Sequence, residues 1–200
     1  MHYAVAVIGT LLSLGTEVED KGFSVEASLG QSTFPNINSS ALGNGKIKDT
    51  AYSIALSYHF SSWFALKAGY VDLGKARYES RLDSALPGYE GPNGHLDWSA
   101  EAYTLAVVPS IPLNDQIKVF AELGWQSDEL RLTSVFPELE EGEFVSFGRE
   151  STKRSGDDTY FGLGLSYAIN DKLSTKLAYK EFKFQEEDIR FVDLGLQWRF

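Results

Sequence analysis

Three groups of residues in this sequence could do chemistry. His59-Phe60-Ser61 puts an imidazole two residues from a hydroxyl. Nucleophilic hydrolysis would need that base within hydrogen-bond reach of the hydroxyl, and a third group to orient it. Glu138, Glu140, Glu141 and Glu143 offer the hard oxygens that calcium or magnesium prefers, but without EF-hand spacing, so a solvated acidic segment is the simpler reading. Arg149, Lys153 and Arg154 could make charge-assisted contacts with phosphates. Gly162-x-Gly164 is no phosphate loop, because no helix follows it. With no cysteine, thiolate metal centres, a catalytic thiol and disulfides are excluded, and no cofactor or metal site is expected. The 28 acidic against 18 basic residues, a net charge of −10, argue against a nucleic-acid partner.

The elements that must position these residues follow from hydropathy. At 43% hydrophobic and 14% aromatic the chain can bury a core. The apolar run from Tyr3 to Leu14 is far shorter than the roughly 20 residues of a spanning helix. It fits the apolar part of a secretory signal, with Ser13 and Gly15 as the small residues before a cleavage, although only His2 and the amino terminus supply positive charge. Residues 1–15 are expected to be a signal segment and 16–200 the folded domain. Beyond residue 20 a two-residue alternation recurs, the mark of strands with two different faces. Strands are expected at about 23–34, 51–60, 64–78, 98–108, 116–127, 160–168, 173–184 and 192–200.

Eight such strands match the length of transmembrane β-segments, and an even number closes an antiparallel meander without free edges. The expected fold is all-β, an eight-stranded antiparallel transmembrane up-and-down β-barrel. Short turns near 61–63, 109–115 and 169–172 face long connections at 35–50, 79–97 and 128–158. That contrast is the pattern of a bacterial outer-membrane barrel, with the turns and both termini periplasmic. A soluble lipocalin-like barrel would alternate too, but an eight-stranded interior has no room for the Leu, Ile, Phe, Tyr and Trp of the greasy face. The first strand also lacks the Gly-x-Trp pair usual in lipocalins. The bulky face therefore looks into lipid, where a Lys or Arg near the midplane would cost roughly 2–4 kcal/mol.

The other face carries Glu26, Glu101, Glu122 and Asp193 against Lys67, Lys118, Lys176, Lys180 and Arg199. Such charges in a narrow lumen are expected to pair, with Glu122, Lys180 and Asp193 at similar heights forming one network that plugs the barrel. Aromatics at strand ends read as interfacial girdles: Phe60, Trp63 and Phe64 on the turn side, Trp98 and Trp125 on the loop side, Trp198 and Phe200 at the C-terminus.

Ala68-Gly-Tyr-Val-Asp-Leu-Gly74, Tyr160-Phe-Gly-Leu-Gly-Leu-Ser-Tyr167 with the following Asn170-Asp171, and the terminal Leu194-x-Leu196-x-Trp198-x-Phe200 resemble the OmpA-like family of small outer-membrane barrels, which includes the Ail/OmpX type. The resemblance spans about 22–200. It implies a Gram-negative outer membrane with its lipid and lipopolysaccharide, and an assembly machinery that reads Leu194, Leu196, Trp198 and Phe200 as a signal. The peptidoglycan-binding domain of longer members is expected to be absent. The family's roles imply structural or adhesive work through surface loops, with Arg149, Lys153 and Arg154 as lipopolysaccharide contacts. A narrow channel or porin-like transporter for small solutes is the alternative. A lipid-A-modifying enzyme is the lesser reading: a related deacylase has a His-x-Ser pair, but the strand directions put His59-Phe60-Ser61 at the rim opposite lipid A, and no enzyme activity is expected.

Overall fold

The computed structural model describes residues 21–35, 47–79, 93–140, 143–184 and 187–200, so the expected signal segment lies outside the described residues. The alternating segments form β1 (Gly22–Thr33), β2 (Lys48–Ser61), β3 (Phe64–Glu79), β4 (His95–Pro112), β5 (Ile117–Glu140), β6 (Glu143–Ala168), β7 (Leu173–Phe184) and β8 (Glu187–Arg199). They make one closed barrel in chain order, and β1 meets β8 antiparallel with Val25 opposite Trp198. Closure leaves no free edge within the ring, the condition for placing strands in hydrocarbon.

Two turns repeat one motif. In Leu113-Asn114-Asp115-Gln116-Ile117 the Asn114 Oδ1 accepts from the backbone N–H groups of Gln116 and Ile117 at 2.9 and 2.8 Å. In Ile169-Asn170-Asp171-Lys172-Leu173, Asn170 Oδ1 does the same for Lys172 and Leu173, both at 2.9 Å. An Asx side chain that mimics a backbone acceptor pins a tight turn. These turns, the Ser62-Trp63 turn, the start of β1 and the end of β8 share one end of the barrel, here the turn end.

At the opposite, loop end the expected long connection over 128–158 is instead a continuous hairpin. β5 and β6 stay paired as far as Glu140 opposite Glu143. β4 follows β5 up to His95 opposite Val135, and β3 follows β4 to Glu79 opposite His95. Beyond the lipid belt the outward face meets water instead of acyl chains, so the greasy alternation stops while the hydrogen-bonded ladder continues. For that reason polarity alone reads this stretch as loop.

Within the belt the pleat sorts side chains as expected. Leu29, Ile54, Leu105, Leu123, Leu163 and Leu194 are exposed on the outside, while Ser28, Ala55, Ala106, Gly124 and Gly195 face the lumen. The small residues leave space for the large ones: a Cβ on Gly164 would lie 2.5 Å from Cζ of Phe120.

Candidate functional site: a sealed lumen and a projecting sheet

Mid-lumen charges come from alternate strands. Lys67 on β3 places Nζ 2.7 Å from Glu26 on β1 and 2.8 Å from Glu122 on β5. Lys176 on β7 reaches the other oxygen of Glu26 at 2.7 Å, and the Tyr160 hydroxyl on β6 donates to Glu122 at 3.3 Å. Each of the three ion pairs spans one intervening strand, whose inward residues are small: Ala55 on β2, Ala106 on β4 and Gly195 on β8. Lys180 pairs separately with Asp193 at 2.7 Å. The expected single network of Glu122, Lys180 and Asp193 is thus corrected. Lys180 meets Asp193 across the β7–β8 seam, while the long reach of Lys67 joins Glu122 to Glu26. Three lysines and three carboxylates, all buried, leave this layer formally neutral, the condition under which buried charges are tolerable.

Two other expected members of the network lie elsewhere. Lys118 and Arg199 occupy the turn end, half-buried where the barrel opens to water, and Lys118 donates to the Ser62 carbonyl at 3.2 Å. Glu101, expected inward, shares the outward face with Tyr103, and the hydroxyl of Tyr70 donates to it at 2.5 Å.

Above the ion pairs the lumen is filled by Phe182, Phe191, Ile189, Leu73, Tyr78 and Phe34. Tyr160 stacks on Phe182 at 4.9 Å, linking the two layers. Trp98 belongs to this filling, edge-on to Tyr78 at 5.6 Å, and so is not a girdle residue. Continuing the parity of Lys180 to Phe182 and Phe184, and of Asp193 back to Phe191 and Ile189, would have revealed this cap from sequence. Below the ion pairs, Ala65, Val108, Phe120 and Ala178 form a smaller apolar layer, with the Lys176 ammonium 4.4 Å from the Phe120 ring centre. The lumen is closed at three levels.

The candidate catalytic tripeptide is not assembled. His59 Nε2 lies 2.9 Å from Ser24 Oγ, and buried Ser61 Oγ has no hydrogen-bond partner. Ser24 itself is 1% exposed and receives a bond from Gln197, which closes it to substrate. Of the acidic run, Glu138 accepts from Ser146, and Glu141 lies outside the described residues. Among the described residues no three His, Asp or Glu side chains are grouped to hold a metal.

Outside the barrel, Tyr52, Tyr70 and Tyr103 line up across β2, β3 and β4 with ring centres 6.4 and 5.3 Å apart, beside exposed Trp125 on β5. At the turn end Phe23, Tyr58, Phe60, Phe64 and Trp63 form the matching cluster. Such paired aromatic bands mark the two membrane interfaces. Leu194, Leu196, Trp198 and Phe200 are all exposed on the lipid-facing side of β8 and its end.

Past the upper band, Arg77 grips Asp97 at 2.7 and 2.9 Å, and this bond holds the Asp97 carboxyl below its usual range. Lys153 and Arg131 meet Glu129 at 2.9 and 3.1 Å. Burial pushes the Asp128 carboxyl up, reinforced by Asp158 and Asp157. Arg149 and Lys153 share one face of β6, whereas Arg154 lies on the other, so these three do not form one patch. The hairpin tip exposes Phe136, Phe144, Val145 and Phe147, with Phe144 edge-on to Phe147 at 5.1 Å.

The model of the outer membrane protein beta-barrel domain family matches residues 4–200. The chain belongs to that family. Its fold is similar to Ail of Yersinia pestis, solved with the heparin analogue sucrose octasulfate, at 15% identity and TM-score 0.56 over 90% of this chain and 99% of that one. Neisserial surface protein A is similar at 15% identity and TM-score 0.57, covering 90% and 97%. OprG from Pseudomonas aeruginosa is similar at 11% identity and TM-score 0.55, again over 90% and 97%. No curated protein sequence matches the chain. The protein is thus an outer-membrane β-barrel.

Proposed function

We propose that this barrel is a closed scaffold, structural or adhesive in role, that displays its projecting β4–β5–β6 sheet at the cell surface. In this reading residues 1–15 direct export, the turns and both termini are periplasmic, and the assembly machinery recognises Leu194, Leu196, Trp198 and Phe200. One observation carries it: the lumen is filled from Ala65 and Phe120 to Phe191 and Tyr78, while the residues free to meet a ligand stand on a hairpin far beyond the belt. Transport needs a continuous wet path. Binding needs exposed side chains on a rigid support, which the extended ladder provides.

Lys153 and Arg149 on one hairpin face, and Arg154 on the other, would meet lipopolysaccharide phosphates or a surface ligand. The exposed aromatic tip favours contact with another macromolecule, because an apolar cluster held in water is costly unless covered. The proposal assigns no enzymatic activity. His59 is engaged by Ser24, and Ser24 is closed to solvent.

The test has two arms. The purified barrel in a planar bilayer is expected to stay silent. Cells displaying it are expected to bind a partner surface, and to lose that binding when residues 136–147 are replaced by a short turn. Steady single-channel openings would overturn the reading in favour of a transporter.

A further inference from the structure

The turn end of the lumen opens into a vestibule of about 140 Å³ that the display function does not use. Its lining includes Lys118, Lys172, Arg199, His59, Ser110 and Gln197. We propose that this vestibule binds the tetrahedral oxyanion of a phosphate group, carried by a phospholipid headgroup or free in solution.

Lys118 is the central observation. In a chain of net charge −10, each buried lysine of the mid-lumen layer is matched to a carboxylate at 2.7–2.8 Å. Lys118 instead gives one of its donors to a neutral acceptor, the Ser62 carbonyl at 3.2 Å, and has no carboxylate at ion-pair distance among the described residues. Two further ammonium donors are left for a ligand.

The sign of charge also changes with depth. The carboxylates of the lining, Asp115 and Asp171, stand at the exposed tips of the two Asn-Asp turns, with Lys172 beside them. Lys118 and Arg199 lie further in and are half-buried. Lys176, deeper still, is balanced by Glu26. An anion entering from water passes screened acids and reaches less screened cations, where each contact is stronger.

Volume and lining are compatible with that ligand. The vestibule is large enough to admit a phosphate group. Ala65, Val108, Phe120 and the Glu26-paired Lys176 line the inner end, which leaves Lys118 and Arg199 as the cations nearer the mouth. Trp63 and Phe64 place this rim at a membrane interface, within reach of lipid headgroups.

The experiment uses the full barrel refolded in octyl glucoside, a detergent without phosphate. One arm titrates inorganic phosphate by calorimetry; the other titrates phosphatidylglycerol, with diacylglycerol as the lipid lacking phosphate, by native mass spectrometry. Saturable uptake is expected in the lipid arm alone, which identifies a headgroup source, or in both arms, which shows that free phosphate suffices. Uptake of phosphate alone also supports the site and excludes the headgroup. Lys118→Gln is expected to weaken binding about tenfold, the size of one lost charge-assisted contact. Lys48→Gln, exposed at the opposite end of the barrel, should leave it unchanged. Should Arg199→Gln fail to fold by heat-shifted gel mobility, Lys118→Gln and Lys118→Glu decide. No saturable uptake in either arm, or a Lys118→Gln barrel that binds like the wild type, would overturn the proposal.

Discussion

Replacing Lys67 by Met tests the physical basis of the sealed lumen. Lys67 is the one cation on Glu122, at 2.8 Å, and shares Glu26 with Lys176. In Lys67→Met, Glu26 keeps its second partner, but Glu122 retains only the Tyr160 hydroxyl and becomes a buried carboxylate with no cation in contact. Breaking a buried pair from one side costs about 3–5 kcal/mol, most of it from the charge left behind. With a urea slope of about 2 kcal/mol per molar, the unfolding midpoint should fall by roughly 2 M. The assay is urea titration of the barrel in vesicles, read by tryptophan fluorescence and heat-shifted gel mobility. Adding Glu122→Gln to Lys67→Met should recover most of the loss, because the remaining pairs Glu26–Lys176 and Lys180–Asp193 are each neutral. Lys118→Met, at the wet end, should shift stability by no more than about 0.5 kcal/mol. If Lys67→Met costs no more than Lys118→Met, or if Glu122→Gln rescues nothing, the ion-pair account of the lumen is wrong.

Gly164→Val should destabilise the barrel by about 1–3 kcal/mol, since its Cβ would press on Phe120 at 2.5 Å; Gly22→Ala, whose Cβ meets only a carbonyl at 3.4 Å, is the neutral control in the same urea assay. Lys67→Met should stay electrically silent in planar bilayers, because Phe182, Phe191 and Tyr78 close the path above it; steady current would show that the cap is permeable. The Arg77–Asp97 clamp holds the Asp97 carboxyl below its unfolded value, so its contribution to the β3–β4 ladder is complete above about pH 4 and fades as pH falls through the lowered folded value. The effect should be about 0.2–1 kcal/mol for so exposed a pair, seen as faster exchange of amides near Tyr78 and Leu96 than the intrinsic acid trend, and absent in Asp97→Asn. Asp128→Asn should stabilise the projecting sheet in thermal melts at neutral pH, since burial and the neighbouring Asp158 and Asp157 oppose its charge; unchanged or lower stability would contradict this.

The strands within the belt were legible because the pleat sends successive side chains to opposite sides. Leu105 beside Ala106 and Leu194 beside Gly195 declare their faces without any knowledge of neighbours. The same reasoning failed where one solvent became two. Residues 128–140 and 143–158 pair along their length apart from a register shift at Glu138–Leu139, yet with water instead of lipid outside them their polarity resembles that of a loop. Trp98 misled in the opposite sense: its position at a strand end suggested an interface, but its parity turned it inward against Tyr78.

The sequence by itself determined the closed meander, the lipid-facing stripe and the approximate charge balance of the lumen, all of which depend on period and composition along the chain. Which charges meet was settled only by the tertiary structure. Lys176 and Glu26 lie 150 residues apart and touch because β1 and β7 flank β8 around the ring. The stagger of the strands, the curvature of the wall and the small residues between them fix the distance that a lysine stem must cross, and none of these is a local property of the chain.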